Sequence, residues 1–219
     1  MLSGAGSTIN NEMAANTGYF MPFSSAVSKA SYYLNNDYKL TLPNSFKSIN
    51  YRSNMFHMNN GNFYSRENTA KHIGYDNYYG LKDIVDGSAE LELDRQLIDN
   101  PDFYKMMFQQ SQPFMNYIIT YTPHLPYSYT GKGKILADEQ NLNAVKDQME
   151  ESDYLKLDVH ETDNMVGKLM KALKDNNLYD KTVIVAYADH SQYGMIDQPE
   201  IKDKCAGIPD LANHTPFFI

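Results

Sequence analysis

Several short stretches end in side chains able to hold a cation or a charged oxygen. "KTVIVAYADH", residues 181–190, is an apolar run closing on Asp189-His190. An adjacent carboxylate and imidazole supply hard-to-borderline ligands for a divalent cation such as Mn²⁺, Mg²⁺ or Zn²⁺. The same dipeptide also suits an Asp capping the next turn beside an incidental His. A cation there would lower the pKa of a bound hydroxyl and offset charge on a phosphoryl oxygen. "TYTPHLPY", residues 120–127, fixes His124 between Pro123 and Pro126, which stiffen the chain. Its imidazole can donate to a phosphate oxygen, serve a leaving group as an acid, or simply pack in a turn. His57 ends a third such stretch, and Arg66 in "NFYSRE" offers a guanidinium fork to an anion.

A nucleophile, if there is one, belongs to "GAGSTINNEMAANTG", residues 4–18. Gly4 and Gly6 permit backbone angles that a Cβ forbids, and Ile9 to Asn16 can form a short helix stopped near Gly18. A hydroxyl at such a helix start caps the first turn, or stands as a nucleophile where the helix's positive end stabilises a phosphoryl group. The residues by themselves leave both readings open. His72 and His160 fall in helical stretches and read as surface or core histidines, and His214 is undecided. Glu12 and Asp163 read as structural.

The elements that must position these groups follow from periodicity. "LPNSFKSINYRSNMFHMNN" reads as a short helix, then a strand from Tyr51 to His57. A brief helix closing near Gly74 and an irregular Tyr-rich loop come next. Leu91, Leu93, Leu97, Ile98, Phe103, Met106 and Met107 recur at helical spacings, interrupted by Pro101. Residues 113–122 fit an interior strand, and the polar stretch holding Gly131 and Gly133 a surface loop. Between Ser152 and Asn177 the stripe Leu155, Val159, Val166, Met170 and Leu173 predicts a long amphipathic helix. Thr182 to Tyr187 predicts a buried strand, as does the terminal "HTPFFI". Helices alternating with apolar strands imply an α/β fold, a mostly parallel sheet sandwiched by helices. Ligands in such sheets sit beyond the strands' carboxyl ends, where His57, His124 and Asp189-His190 all fall.

Bulk properties narrow the function. A net charge of −8 across 219 residues disfavours a broad nucleic-acid surface. The single Cys205 excludes an internal disulfide and a multi-cysteine zinc cluster. No run of about eighteen apolar residues is present, and "MLSGAGSTINNEM" lacks the features of a signal peptide.

The order of the pieces resembles the lipoteichoic acid synthase-like phosphoglycerol transferases of the alkaline phosphatase/sulfatase superfamily. "GAGST", "FHMNNGNFYSRENTAKHIGYDNYYG", "PFMNYIITYTPHLPY" and "DNMVGKLMKALKDNNLYDKTVIVAYADHSQYG" carry the resemblance along nearly the whole chain. It implies that Thr8 is the nucleophile and a metal contact, with Ser7 its neighbour, and that Asp189 and His190 bind the metal. His57, Arg66 and His124 would hold the phosphoglycerol group, and Tyr64 would line that pocket. The implied cofactor is one divalent cation, Mn²⁺ before Mg²⁺ or Zn²⁺. The implied donor is a glycerophospholipid such as phosphatidylglycerol, and the acceptor a hydroxyl of a growing polymer or glycan, or water. Such enzymes work at the bacterial cell membrane with an extracellular catalytic domain.

The family also carries a metal-binding glutamate on a strand ahead of the nucleophile loop, where this chain begins, and Glu12 is no obvious substitute. Residues 1–219 are therefore expected to be a partial catalytic domain, truncated at both ends, that binds metal poorly and is inactive alone. Membrane contact would come through N-terminal helices of the parent. The competing expectations are a sulfatase, phosphodiesterase or phosphoethanolamine transferase of the same superfamily, or a non-catalytic anion-binding remnant. "GAGSTINNE" lacks the Cys/Ser-, Pro- and Arg-rich motif that sulfatases mature to formylglycine, which lowers the sulfatase option.

Overall fold

A computed structural model describes residues 7–20, 33, 36–84, 93–191, 199–206, 208 and 214–219. Gly4, Gly6 and Leu91, which entered the sequence reading, lie outside them. The chain forms two compact units, one of residues 1–53, 62–77 and 183–219, the other of residues 54–61 and 78–182.

In the first unit, helix α1 (Thr8–Thr17) ends at Gly18, whose φ of 73° lets its N–H return to the Ala14 carbonyl. Ile9 and Met13 are buried on one side of α1. Asn16 accepts a 2.6 Å hydrogen bond from the Tyr75 hydroxyl, whose own ionisation burial pushes up. Helix α2 (Leu42–Lys47) starts with Pro43 in its first turn and Thr41 as its cap. The Thr41 hydroxyl accepts from Asn44 N and donates to the Ile73 carbonyl at 2.7 Å, tying α2 to the end of helix α3 (Arg66–Ile73).

Strand β1 (Arg52–His57) leads from the first unit into the second. It is the middle of a three-stranded sheet, flanked by β2 (Asn77–Tyr79) and β3 (Phe114–Ile119). Phe56 is fully buried, stacked on Tyr79 at 5.1 Å and meeting the edge of Phe103 at 5.4 Å. Helices α4 (Leu81–Ile84), α5 (Arg95–Asp99) and α6 (Pro101–Phe108) follow β2. Pro101 separates α5 from α6 because it opens α6, whose first N–H groups are capped by Asn100. Helices α7 (Lys132–Glu139) and α8 (Glu151–Asp175) complete the unit, α8 beginning in a capping box of Glu150 and Asp153.

The structure corrects several expectations. The Tyr-rich stretch contributes strand β2, and the Gly131/Gly133 stretch opens α7 with Lys132, Gly133, Leu136 and Ala137 buried. β3 is half-buried over most of its length. The buried face of α8 is Tyr154, Leu157, Asp158, Glu161, Met165, Ala172 and Leu173, while Val159 is exposed. Two carboxylates occupy core positions because cations from other elements neutralise them, a pairing that hydrophobic periodicity does not register. Of the expected strand from Thr182 to Tyr187 only β4 (Ala186–Tyr187) forms. After α9 (Pro199–Cys205) it pairs antiparallel with β5 (Phe217–Phe218). Val183 is 77% and Phe218 65% exposed. An apolar run records a preference for being covered, but the cover must come from elsewhere in the fold.

Candidate functional site

In the first unit, Thr8 is the first residue of α1 and half-buried. Ser7 stands at the N-cap position with extended backbone (φ −145°, ψ 132°), yet its side chain makes no capping hydrogen bond. Its carbonyl accepts the Asn10 N–H at 3.0 Å, while its hydroxyl is buried and finds no partner among the described residues. A buried hydroxyl left unbonded costs free energy, so the start of α1 is better suited to receive a polar group than to cap itself.

One turn after Thr8, Glu12 faces the same side of the helix. It accepts from Arg66 Nε at 3.1 and 3.0 Å and from Nη2 at 2.7 Å. The Arg66 side chain is 1% exposed and that of Glu12 4%. This bidentate pair fixes the guanidinium plane against α1. Tyr64 and Ser65 just ahead have φ of 58° and 51°, left-handed conformations costly for residues with a Cβ. That strained turn seats the Tyr64 ring 5.6 Å from the Arg66 guanidinium carbon, so Tyr64 and Arg66 meet.

Asp189 and His190 follow β4. Asp189 Oδ1 accepts the His190 N–H at 2.9 Å, and its Oδ2 lies 3.5 Å from His190 Nε2. His190 Nδ1 is 2.9 Å from the Ser191 carbonyl oxygen. A carbonyl only accepts, so Nδ1 carries a proton and Nε2 is the ring nitrogen beside the carboxylate oxygen. The donor chemistry fits a divalent ion, with one oxygen and one nitrogen ligand. Among the described residues no third His, Cys, Asp or Glu joins them.

In the second unit, His57 is buried at the end of β1, its Nδ1 3.0 Å from the Ile119 carbonyl. Exposed His124 places Nδ1 2.8 Å from the Leu125 carbonyl. Both rings therefore carry the Nδ1 proton, as in His190. Tyr121 stands between them, edge-on to His57 at 6.1 Å and stacked on His124 at 5.8 Å. This unit thus brings His57 and His124 into one aromatic row.

The backbone carrying Tyr121 and His124 is pinned from below. Fully buried Asp94 accepts Tyr121 N–H at 2.6 Å and Thr122 N–H at 3.1 Å. Lys132 Nζ donates to the Thr122 and His124 carbonyls and to Asp158 Oδ2 at 2.5 Å. Glu161 binds Arg95 through its N–H at 3.1 Å and Nη1 at 2.7 Å. Burial pushes the carboxyls of Asp94 and Asp158 up to about 6 against the hydrogen bonds that stabilise their charge. The sequence reading missed Tyr121, Asp94, Lys132 and Asp158. No local signal marked them: Lys132 stands out as a cation at the unfavourable end of a helix dipole only once α7 is seen to start there. Of the remaining histidines, His160 and His214 are exposed and His72 half-buried.

Residues 1–218 match the protein family described as Sulfatase. Lipoteichoic acid synthase 1 of Bacillus subtilis (strain 168) is 30% identical over 145 residues, 64% of this chain and 21% of that protein. Lipoteichoic acid synthase of Staphylococcus saprophyticus is 25% identical over 207 residues, 88% of this chain and 29% of that protein. The chain therefore spans less than a third of the length of these curated relatives. Among solved structures, lipoteichoic acid synthase LtaP from Listeria monocytogenes gives a TM-score of 0.79 at 22% identity, covering 100% of this chain and 54% of that one. A protein in the alkaline phosphatase superfamily from Vibrio parahaemolyticus gives 0.62 at 20% identity, covering 87% and 44%. At these identities the structural likeness speaks for the fold alone. It is an α/β fold, the class that the alternation of helices and strands led one to expect. The family match extends over residues 1–218: the chain belongs to the sulfatase family.

Proposed function

We propose that this chain carries the nucleophile and phosphoglycerol pocket of a metal-dependent phosphoglycerol transferase that acts on a lipid such as phosphatidylglycerol. The observation that carries the reading is the start of α1. There the Ser7 hydroxyl beside Thr8 makes no capping hydrogen bond, and one turn after Thr8 a buried arginine is clamped by Glu12. The similarity to lipoteichoic acid synthases supports phosphoglycerol as the transferred group. The lipid donor points to work at the bacterial membrane surface, although no helix among the described residues is long and apolar enough to cross a membrane.

The Thr8 hydroxyl gives up its proton to solvent as its oxygen attacks the phosphorus of the donor, and the bond from phosphorus to the diacylglycerol oxygen breaks. That oxygen takes a proton and diacylglycerol leaves, with glycerophospho-threonine at Thr8. An acceptor hydroxyl on a polymer or glycan, or water, then attacks the same phosphorus and restores Thr8. Arg66, His57 and His124 hold the charged oxygens, with His124 Nε2 able to carry a proton to the leaving or from the entering hydroxyl. Tyr64 lines the pocket. Asp189, His190 and Thr8 would hold the divalent cation, Mn²⁺ before Mg²⁺ or Zn²⁺. When bound, that ion supplies charge neutralisation and lowers the pKa of a coordinated hydroxyl.

The test is incubation of the longer parent protein, with the upstream metal-binding glutamate that the family resemblance implies, with labelled phosphatidylglycerol and Mn²⁺, followed by peptide mapping; residues 1–219 alone are expected to give little or no product. A glycerophosphoryl group is expected on the Thr8 peptide, with diacylglycerol released. In Thr8→Ala both disappear while the melting temperature stays within a few degrees, since Thr8 is only half-buried. Full turnover by Thr8→Ala rules out the covalent route, and turnover of aryl sulfate in place of the lipid moves the assignment to a sulfatase.

A further inference from the structure

Lys132 is an expensive residue where it stands. It is 8% exposed, and it occupies the first turn of α7, where the helix dipole disfavours a cation. An ammonium has three protons to donate, and Lys132 Nζ has three acceptors: the Thr122 carbonyl, the His124 carbonyl and Asp158 Oδ2. Two of the three belong to the loop that carries His124. Asp94 completes the attachment from the other direction, holding the N–H groups of Tyr121 and Thr122 and donating its own N–H to the Thr122 hydroxyl at 2.8 Å. The loop approaches α7 so closely that a Cβ on Gly133 would stand 2.1 Å from the Ser128 carbonyl oxygen. The Tyr127 hydroxyl adds a bond to the Pro123 carbonyl at 3.0 Å. Side chains and helix starts thus grip the backbone on both sides of His124, whereas the imidazole itself is exposed.

A loop held only for stability needs no charged anchors, because apolar packing of similar volume does as well or better than a buried ion pair. Charged anchors fix carbonyl and amide positions, and through them the direction in which His124 and Tyr121 project. We propose that Lys132 and Asp94 are positioning residues for His124. They hold the Tyr121–His124 backbone so that the imidazole stands in register with His57 across the Tyr121 ring and binds a phosphoglycerol group. This rests on the reading of His124 as a contact of that group.

The experiment is a double-mutant cycle read as affinity for glycerol 1-phosphate, measured by titration of the full chain. His124→Ala and Lys132→Met are each expected to weaken binding about tenfold, the lower end of what removing a group that orients a ligand-binding side chain costs. Their combination is expected to be no weaker than His124→Ala alone, because Lys132 acts through His124. Losses that multiply in the double variant would overturn the positioning role and leave Lys132 as a general stabiliser. Unchanged affinity in Lys132→Met beside weakened affinity in His124→Ala would overturn it too. Unchanged affinity in His124→Ala would instead remove the underlying reading. Asp94→Asn, nearly isosteric and still able to accept one bond, enters the same cycle if Lys132→Met does not fold.

Discussion

At the scale of single residues, the most informative side chain is Glu12. It reads from sequence as structural, and the structure gives it a definite task as the bidentate partner of buried Arg66. Replacing it with Gln removes the charge that balances the guanidinium and leaves a buried cation under-compensated. Breaking such a pair by one partner typically costs about 3 kcal/mol or more. Glu12→Gln is therefore expected to lower unfolding stability by about 3 kcal/mol, read from the urea midpoint at constant slope. A loss below about 1 kcal/mol would mean that the pair is solvated in solution, as surface pairs are. That Glu12 falls within the helical Ile9–Asn16 stretch was legible from the sequence. Its meaning was not, because Arg66 lies 54 residues away along the chain and no local pattern announces the partner.

At the scale of elements, two glycines set opposite expectations. Gly133 lies where loop and α7 touch, and a methyl group there meets the Ser128 backbone oxygen at 2.1 Å. Backbone cannot step aside as a flexible side chain can, so Gly133→Ala is expected to cost about 2 kcal/mol. Gly167 lies within α8 with nothing within 4 Å of its ideal Cβ. There the same substitution is expected to add up to about 1 kcal/mol through helix propensity alone. Thermal melts of the two variants, moving in opposite directions from the parent, check both. Helices α1, α3 and α8 were legible because caps, glycine stops and amphipathic spacing are local signals. α7 was not, because its glycines and lysines look like a loop until tertiary contacts pay for burying Lys132.

At the scale of the whole molecule, the buried charges shape the pH response. Asp94 and Asp158 have folded pKa values of about 6, raised by burial from a model-peptide value of 3.8. Around them stand Lys132, Arg95 and Glu161, and the hydroxyl and amide groups of the His124 loop. Between these two pKa values the folded chain binds more protons than the unfolded chain. The contribution of both groups to stability is thus largest below about pH 4 and is lost as pH rises through about 6. Urea unfolding from pH 4 to 7 is expected to show this falling component. Asp158→Asn should flatten it, since Asp158 Oδ1 already lacks a partner among the described residues. A pH response unchanged by that substitution would place the titration elsewhere.

The sequence by itself determined the α/β class, most of the long helices and the ends of strands at which histidines and Asp189 appear. These follow from periodicity, caps and chain breakers, which act over a few residues. Tertiary structure alone decided which charges are buried and with whom: Glu12 with Arg66, Lys132 with Asp158, Arg95 with Glu161. It also decided that the apolar 183–187 run forms only a short, exposed pair with β5. Burial and ion pairing depend on atoms brought together from distant parts of the chain, so no window of neighbouring residues contains the information that sets them.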